Sequence, residues 1–128
     1  MTPAELLSEA GRVLATDVPS TRGRWPRACA WLIRMALEKA LDDYWAHVLP
    51  AAAECGMRPQ LLLLPRYADR TTAEEARDAW LGLARATPHH AYDLAPTAAE
   101  LRRWHGQVSK VAARLSTTGQ ASEPATTS

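Results

Sequence analysis

Between two strongly helical stretches of this chain lies the string Arg85-Ala86-Thr87-Pro88-His89-His90-Ala91-Tyr92. It sets a permanent cation, a titratable imidazole and a phenol within eight residues. A guanidinium fork can hold a phosphate, and an imidazole with an ordinary pKa of about 6.5 can move a proton at neutral pH. Cleavage of RNA without a metal needs little more. A base takes the 2′-hydroxyl proton, an acid protonates the leaving 5′-oxygen, and cations steady the pentavalent phosphate. One such string offers one set of these groups. A two-fold dimer that brought two strings together would place two histidines and two arginines around one phosphodiester.

The same residues have plain structural roles open to them. Arg85 falls in the last turn of an expected helix, where a cation suits the macrodipole without any function. His90 can satisfy loop carbonyls, and Tyr92 can plug a core with its hydroxyl at the surface. His89 can assist His90. His89, His90 and Asp93 make a poor zinc set, since they share one loop and no second cluster exists, so no metal is expected. The chain has no glycine-rich phosphate loop and no G-x-S-x-G elbow, and no cofactor is expected.

Helices must position the string. Thr2 and Glu5 form a capping box with Pro3 at the first helical position, which predicts a helix over 3–16. Ile33, Leu37, Leu41, Tyr44 and Val48 recur at helical spacing and predict a long helix over 25–48, with Arg34/Glu38 and Lys39/Asp43 as i,i+4 pairs on exposed flanks. A short helical segment is expected between Pro50 and Gly56. The apolar run Leu61–Leu64 could be a buried strand, but no partner strand exists, so 58–68 is read as a helix that Pro65 ends or kinks. The next helix should start at Thr71 or Thr72, capped with Glu74 or Glu75, and run to 86 or 87. The last should start at Thr97 with Glu100. Its apolar stripe is Leu101, Trp104, Val108, Val111 and Leu115, and Arg103, Lys110 and Arg114 form a basic stripe suited to guiding an RNA strand.

The expected fold is an all-α antiparallel bundle of four main helices plus one or two short ones. It forms one domain over 1–116, with a disordered polar tail at 117–128. Trp31, Trp45, Trp80 and Trp104 are expected in the core, with Trp25 capping the long helix. His47 and His105 are expected at the surface or its boundary, and Cys55 is expected to be buried.

A length of 128 residues allows one domain with a real core. A net charge of +1 does not mark a nucleic-acid binder as a whole, but local charge is uneven. Bases gather at 20–40 and 100–115, and acids at Asp42, Asp43, Glu74, Glu75 and Asp78. Cys29 and Cys55 form no C-x-x-C pair or disulfide framework. The absence of a signal-like apolar stretch or long apolar run points to a cytoplasmic protein with no membrane span.

The string resembles the R-x4–6-H motif of HEPN domains, small all-α domains that often act as metal-independent endoribonucleases. The narrower pattern R-x4-H-x-Y, met by Arg85, His90 and Tyr92, resembles the HEPN toxins paired with nucleotidyltransferases. The likeness covers roughly residues 25–116. It implies Arg85 and His90 as catalytic residues, RNA as substrate and a cleft at a homodimer interface. It also implies a nucleotidyltransferase antitoxin as partner, with Tyr92 able to accept AMP. Two departures stand out. Ala86 occupies a position often polar in active members, and Pro88 lies inside the motif. Both are marks that a non-cleaving accessory module or antitoxin-like scaffold would carry; a nucleotide-binding regulator is a third alternative.

Overall fold

The computed structural model describes residues 1–16, 24–87 and 95–122. Six helices make up the described chain: α1 Pro3–Thr16, α2 Arg24–Val48, α3 Pro50–Ala53, α4 Met57–Tyr67, α5 Arg70–Ala86 and α6 Ala98–Ser122. The fold is an all-α helical bundle, and there is no strand among the described residues. Two capping boxes stand as the sequence predicts. The Glu5 amide donates to Thr2 Oγ1 at 3.1 Å. Glu100 and Thr97 cap each other, at 3.1 Å to Thr97 Oγ1 and 3.0 Å to Glu100 Oε1.

The start of α5 differs. Its cap is Asp69, whose carboxylate accepts from the Thr72 amide at 3.0 Å and from the Thr72 hydroxyl at 2.6 Å. An ionised carboxylate is a stronger acceptor than a threonine hydroxyl and favours the positive helix end. Thr72 therefore lies inside the first turn, buried, and donates to the cap. At the other end of the chain, α6 continues to Ser122, into the stretch expected to be a tail. Thr117 Oγ1 donates back to the Ala113 carbonyl at 3.0 Å, so a polar residue satisfies itself without leaving the helix.

α2 runs through the centre. Ile33, Ala36, Leu37, Leu41 and Trp45 are fully buried along it. Leu6, Leu7, Ala10 and Leu14 pack on it from α1, Ala73, Ala76, Ala79 and Leu83 from α5, and Leu101, Trp104, Val108, Val111 and Leu115 from α6. Leu61 and Leu64 bring α4 onto this core, and Tyr67 meets the Trp45 ring edge-on at 5.2 Å. Helix α4 passes through Pro65 and ends two residues later.

Two core expectations are corrected. Trp31 is 37% exposed rather than buried. It lies two residues from Ile33, about 200° around the helix, so one helix cannot bury both on a single partner face. Cys55 is exposed, in the turn between α3 and α4, where Ala52 and Leu61 already fill the inner side. Trp45 and Trp104 are buried as expected, and Trp80 is partly so.

Candidate functional site

Asp78, Leu81, Gly82 and Arg85 recur at three, four and seven residues, so α5 presents them on one face. Arg103, Trp104 and Gln107 face them from α6. Together they line a cleft of about 430 Å³. Arg85, read from the motif, and Arg103, read from the basic stripe, thus meet at one site although 18 residues separate them in sequence.

The helices approach closely here because of a glycine. A Cβ on Gly82 would sit 2.6 Å from Trp104 Nε1 and under 3 Å from two ring carbons. Trp104 is only 4% exposed and forms the floor, and the Arg103 guanidinium lies over its ring at 5.9 Å from the centroid. That stacking holds the cation without consuming its hydrogen-bond donors. Gln107 Oε1 is buried with no hydrogen-bond partner. Among the described residues the cleft carries two guanidinium groups against one carboxylate, that of Asp78, a balance that favours an anionic guest.

Lys110 and Arg114 continue the same α6 face at seven and eleven residues from Arg103. Lys110 is exposed. Arg114 instead engages Glu75 of α5 at 3.4 Å, which offsets part of the stripe's charge. The basic and acidic regions of the sequence are therefore interleaved here, as they are at Arg34–Glu38, Lys39–Asp43 and Arg70–Glu74.

The end of α5 is pinned by a contact with no signature in the sequence. Thr87 is buried at the C-cap, and its hydroxyl donates to the Leu83 carbonyl at 2.8 Å. The Arg34 guanidinium donates to that same hydroxyl at 2.7 Å across 53 residues. Arg34 is also paired with Glu38 at 2.9 Å and stacked on Trp31 at 5.1 Å. It is thus a tether between α2 and the exit of α5, not the simple exposed flank residue expected. His89, His90, Tyr92 and Asp93 lie outside the described residues.

The chain matches no family model, no curated protein and no solved structure. Among the described residues no group of three or more His, Cys, Asp or Glu side chains could hold a metal ion. Also among them, no helix is long and apolar enough to cross a membrane.

Of the predicted site residues, the structure brings Arg85 and Arg103 together and leaves Lys110 and Arg114 along the neighbouring helix face. Sequence reasoning missed Gln107 and Gly82 as parts of the site. Their signal was present in the helical spacing of 78, 82 and 85 and of 103 and 107. Only the α5–α6 pairing, which one sequence does not give, would have made it legible.

Proposed function

We propose that the chain is a metal-independent endoribonuclease of the HEPN kind, acting on RNA as a homodimer in a toxin or defence system of the cytoplasm. The observation that supports this best is the shared cleft of Arg85 and Arg103. Arg85 holds the scissile phosphate and Arg103 receives the neighbouring strand. His90 takes the 2′-hydroxyl proton or supplies one to the 5′-oxygen. The 2′-oxygen then bonds to phosphorus as the bond to the 5′-oxygen breaks, leaving a 2′,3′-cyclic phosphate and a 5′-hydroxyl. His89 and Tyr92 support the cleft, Lys110 lengthens the basic track, and Tyr92 is the residue a nucleotidyltransferase partner would modify with AMP.

The experiment is cleavage of RNA by purified protein in EDTA. Arg85→Ala is expected to lower the rate by about 10²–10³-fold through lost phosphate stabilisation. His90→Ala is expected to lower it by about 10²–10⁴-fold through lost proton transfer. Undiminished cleavage by either variant ends the reading.

A second reading, a non-cleaving accessory module, is favoured by Ala86 and Pro88 and by the pairing of Arg114 with Glu75, which spends part of the basic stripe inside the fold. Expression in cells separates the two. A nuclease arrests growth and its Arg85→Ala variant does not, whereas a module leaves growth unchanged in both forms.

A further inference from the structure

The α5–α6 cleft has two chemically different ends. Gly82 lies against Trp104 and Glu75 pairs with Arg114, so the two helices run antiparallel. From the Gly82–Trp104 crossing, Asp78 is four residues back along α5 and Gln107 three residues on along α6, which puts them on the same side. Arg85 lies three residues the other way. The seven residues of α5 from Asp78 to Arg85 rise about 10 Å along the axis. Arg103, stacked over Trp104, sits between the two ends.

The polar groups of these ends do not satisfy one another. The side chains of Asp78 and Arg85 line one cleft, are exposed, and make no ion pair or hydrogen bond among the described residues. Gln107 keeps Oε1 buried, so the open end of its amide is the Nε2 donor, which also has no partner among those residues. One end therefore offers a carboxylate that only accepts and an amide that donates, and the other offers a guanidinium. A simple anion would use the guanidinium and be repelled by the carboxylate. A guest that answers both ends carries neighbouring N–H donors, an acceptor beside them, and a negative group about two helical turns away.

A nucleotide has that layout, and the bases differ in how well they fill it. Guanine sets two adjacent donors, N1–H and the N2 amino group, beside the O6 acceptor on its Watson–Crick edge. The two carboxylate oxygens take the donors, and the amide donates to O6. Adenine and cytosine present one amino donor beside a ring-nitrogen acceptor. Uracil sets its one N–H between two carbonyl oxygens that repel a carboxylate. The outer face of the Arg103 guanidinium is a plane on which a base stacks. A cleft of about 430 Å³ lies in the range of small-molecule sites.

We propose that this cleft is a guanosine subsite, in which Asp78 and Gln107 read the base, Arg103 stacks on it and Arg85 holds its phosphate. The proposal deepens the ribonuclease reading and rests on it for the strand that carries the guanosine.

The test measures fluorescence anisotropy of labelled 2′-fluoro oligouridylates, each with one central guanosine, adenosine, cytidine or inosine, titrated with the full chain. Fluorine replaces the attacking hydroxyl, so binding is read without cleavage. The guanosine strand should bind about tenfold or more tighter than the adenosine or cytidine strand. Inosine, which lacks the N2 amino group, should lose most of that gain. Asp78→Asn should bring the guanosine-to-adenosine ratio to within about twofold of one. Gln107→Met should lower the ratio about threefold or more. Arg85→Ala should weaken all four strands alike, and Leu62→Ser, on α4 outside the cleft, should leave the ratio as it is. Equal binding of the four strands, no binding of any, or a preference that survives Asp78→Asn or Gln107→Met with an unchanged helical spectrum overturns the subsite. Cleavage of unmodified RNA with no guanosine preference removes the subsite and leaves the ribonuclease reading standing. Guanosine-selective binding without cleavage supports the subsite and ends the ribonuclease reading.

Discussion

At position 29 burial turns a thiol from a nucleophile into a small apolar filler. Cys29 is fully buried against α1, with Sγ donating to the Ala10 carbonyl at 3.6 Å, and desolvation pushes its pKa from 9.0 up to about 11. The thiolate is the reactive species, so a chromogenic disulfide reagent at pH 8 should find one fast thiol, Cys55, and a second only in denaturant. Cys55→Ser should remove the fast phase; a fast phase surviving it would show that Cys29 is accessible. The raised pKa also means that Cys29 favours the folded state fully below its unfolded value of 9.0, and that this contribution fades as the pH climbs towards about 11. Asp69 has the opposite sign. Its hydrogen bonds to the side chain and amide of Thr72 hold its pKa below the ordinary 3.8. The stability it supplies is present above 3.8 and is lost as acid protonates the folded form. Asp69→Asn, which keeps a capping oxygen, should flatten the fall in melting temperature below pH 4, and an unchanged acid limb would remove this carboxylate from the acid response. Neither environment was legible at the single residue. Cys55 has no base near it in the sequence and so reads as a buried thiol, and Thr71 and Thr72 each have a glutamate three residues on. What decided both was a neighbour: a turn already filled by Ala52, and a carboxylate that outcompetes a hydroxyl.

Helix periodicity carries more than residue chemistry does. The apolar stripe of α2 and that of α6 are both readable as repeats of three and four, and both are buried where the pattern puts them, except that Val48 at the end of α2 is only partly so. What periodicity alone omits is how closely two stripes approach. At the α5–α6 crossing the answer depends on Gly82, because the Trp104 indole fills the place where a side chain would begin. Gly82→Ala should therefore destabilise the protein by about 1–2 kcal/mol. The overpacking cost of about 1–3 kcal/mol exceeds the gain of up to about 1 kcal/mol from better helix propensity. The buried indole is rigid and cannot yield as a lysine tip would, so the displacement must pass to Arg103, stacked on its ring. Weaker RNA binding in Gly82→Ala, measured beside the melting curve, is the expected companion. A variant as stable as the parent would mean the crossing is wider than these distances. The Arg34–Thr87 bond belongs to the same scale. It joins helices distant in sequence through a residue whose i,i+4 partner, Glu38, had seemed to account for it.

For the molecule as a whole, the proposed chemistry makes a demand that one chain does not meet, since one string provides one imidazole at the motif position and one Arg85. Two copies must bring their α5 exits together. The surface beside that exit suits this. Trp31 and Met35 lie one turn apart on α2 and are 37% and 48% exposed, and Arg34, stacked on Trp31, reaches Thr87 at the end of α5. An apolar pair beside the proposed site offers a contact that a second copy could cover. Sedimentation should show a dimer whose dissociation on dilution parallels a fall in RNA cleavage per chain. Met35→Glu places a charge opposite its own copy in a symmetric contact. It should shift the dimer to monomer and lower cleavage to the same degree. Because about half of Met35 is in solvent, the variant's melting temperature extrapolated to the monomer should change little, within about 0.5 kcal/mol of stability. Cleavage that stays constant per chain through complete dissociation would mean that a single copy suffices, and the two-fold arrangement of the site would then be wrong even if Arg85 and His90 proved essential.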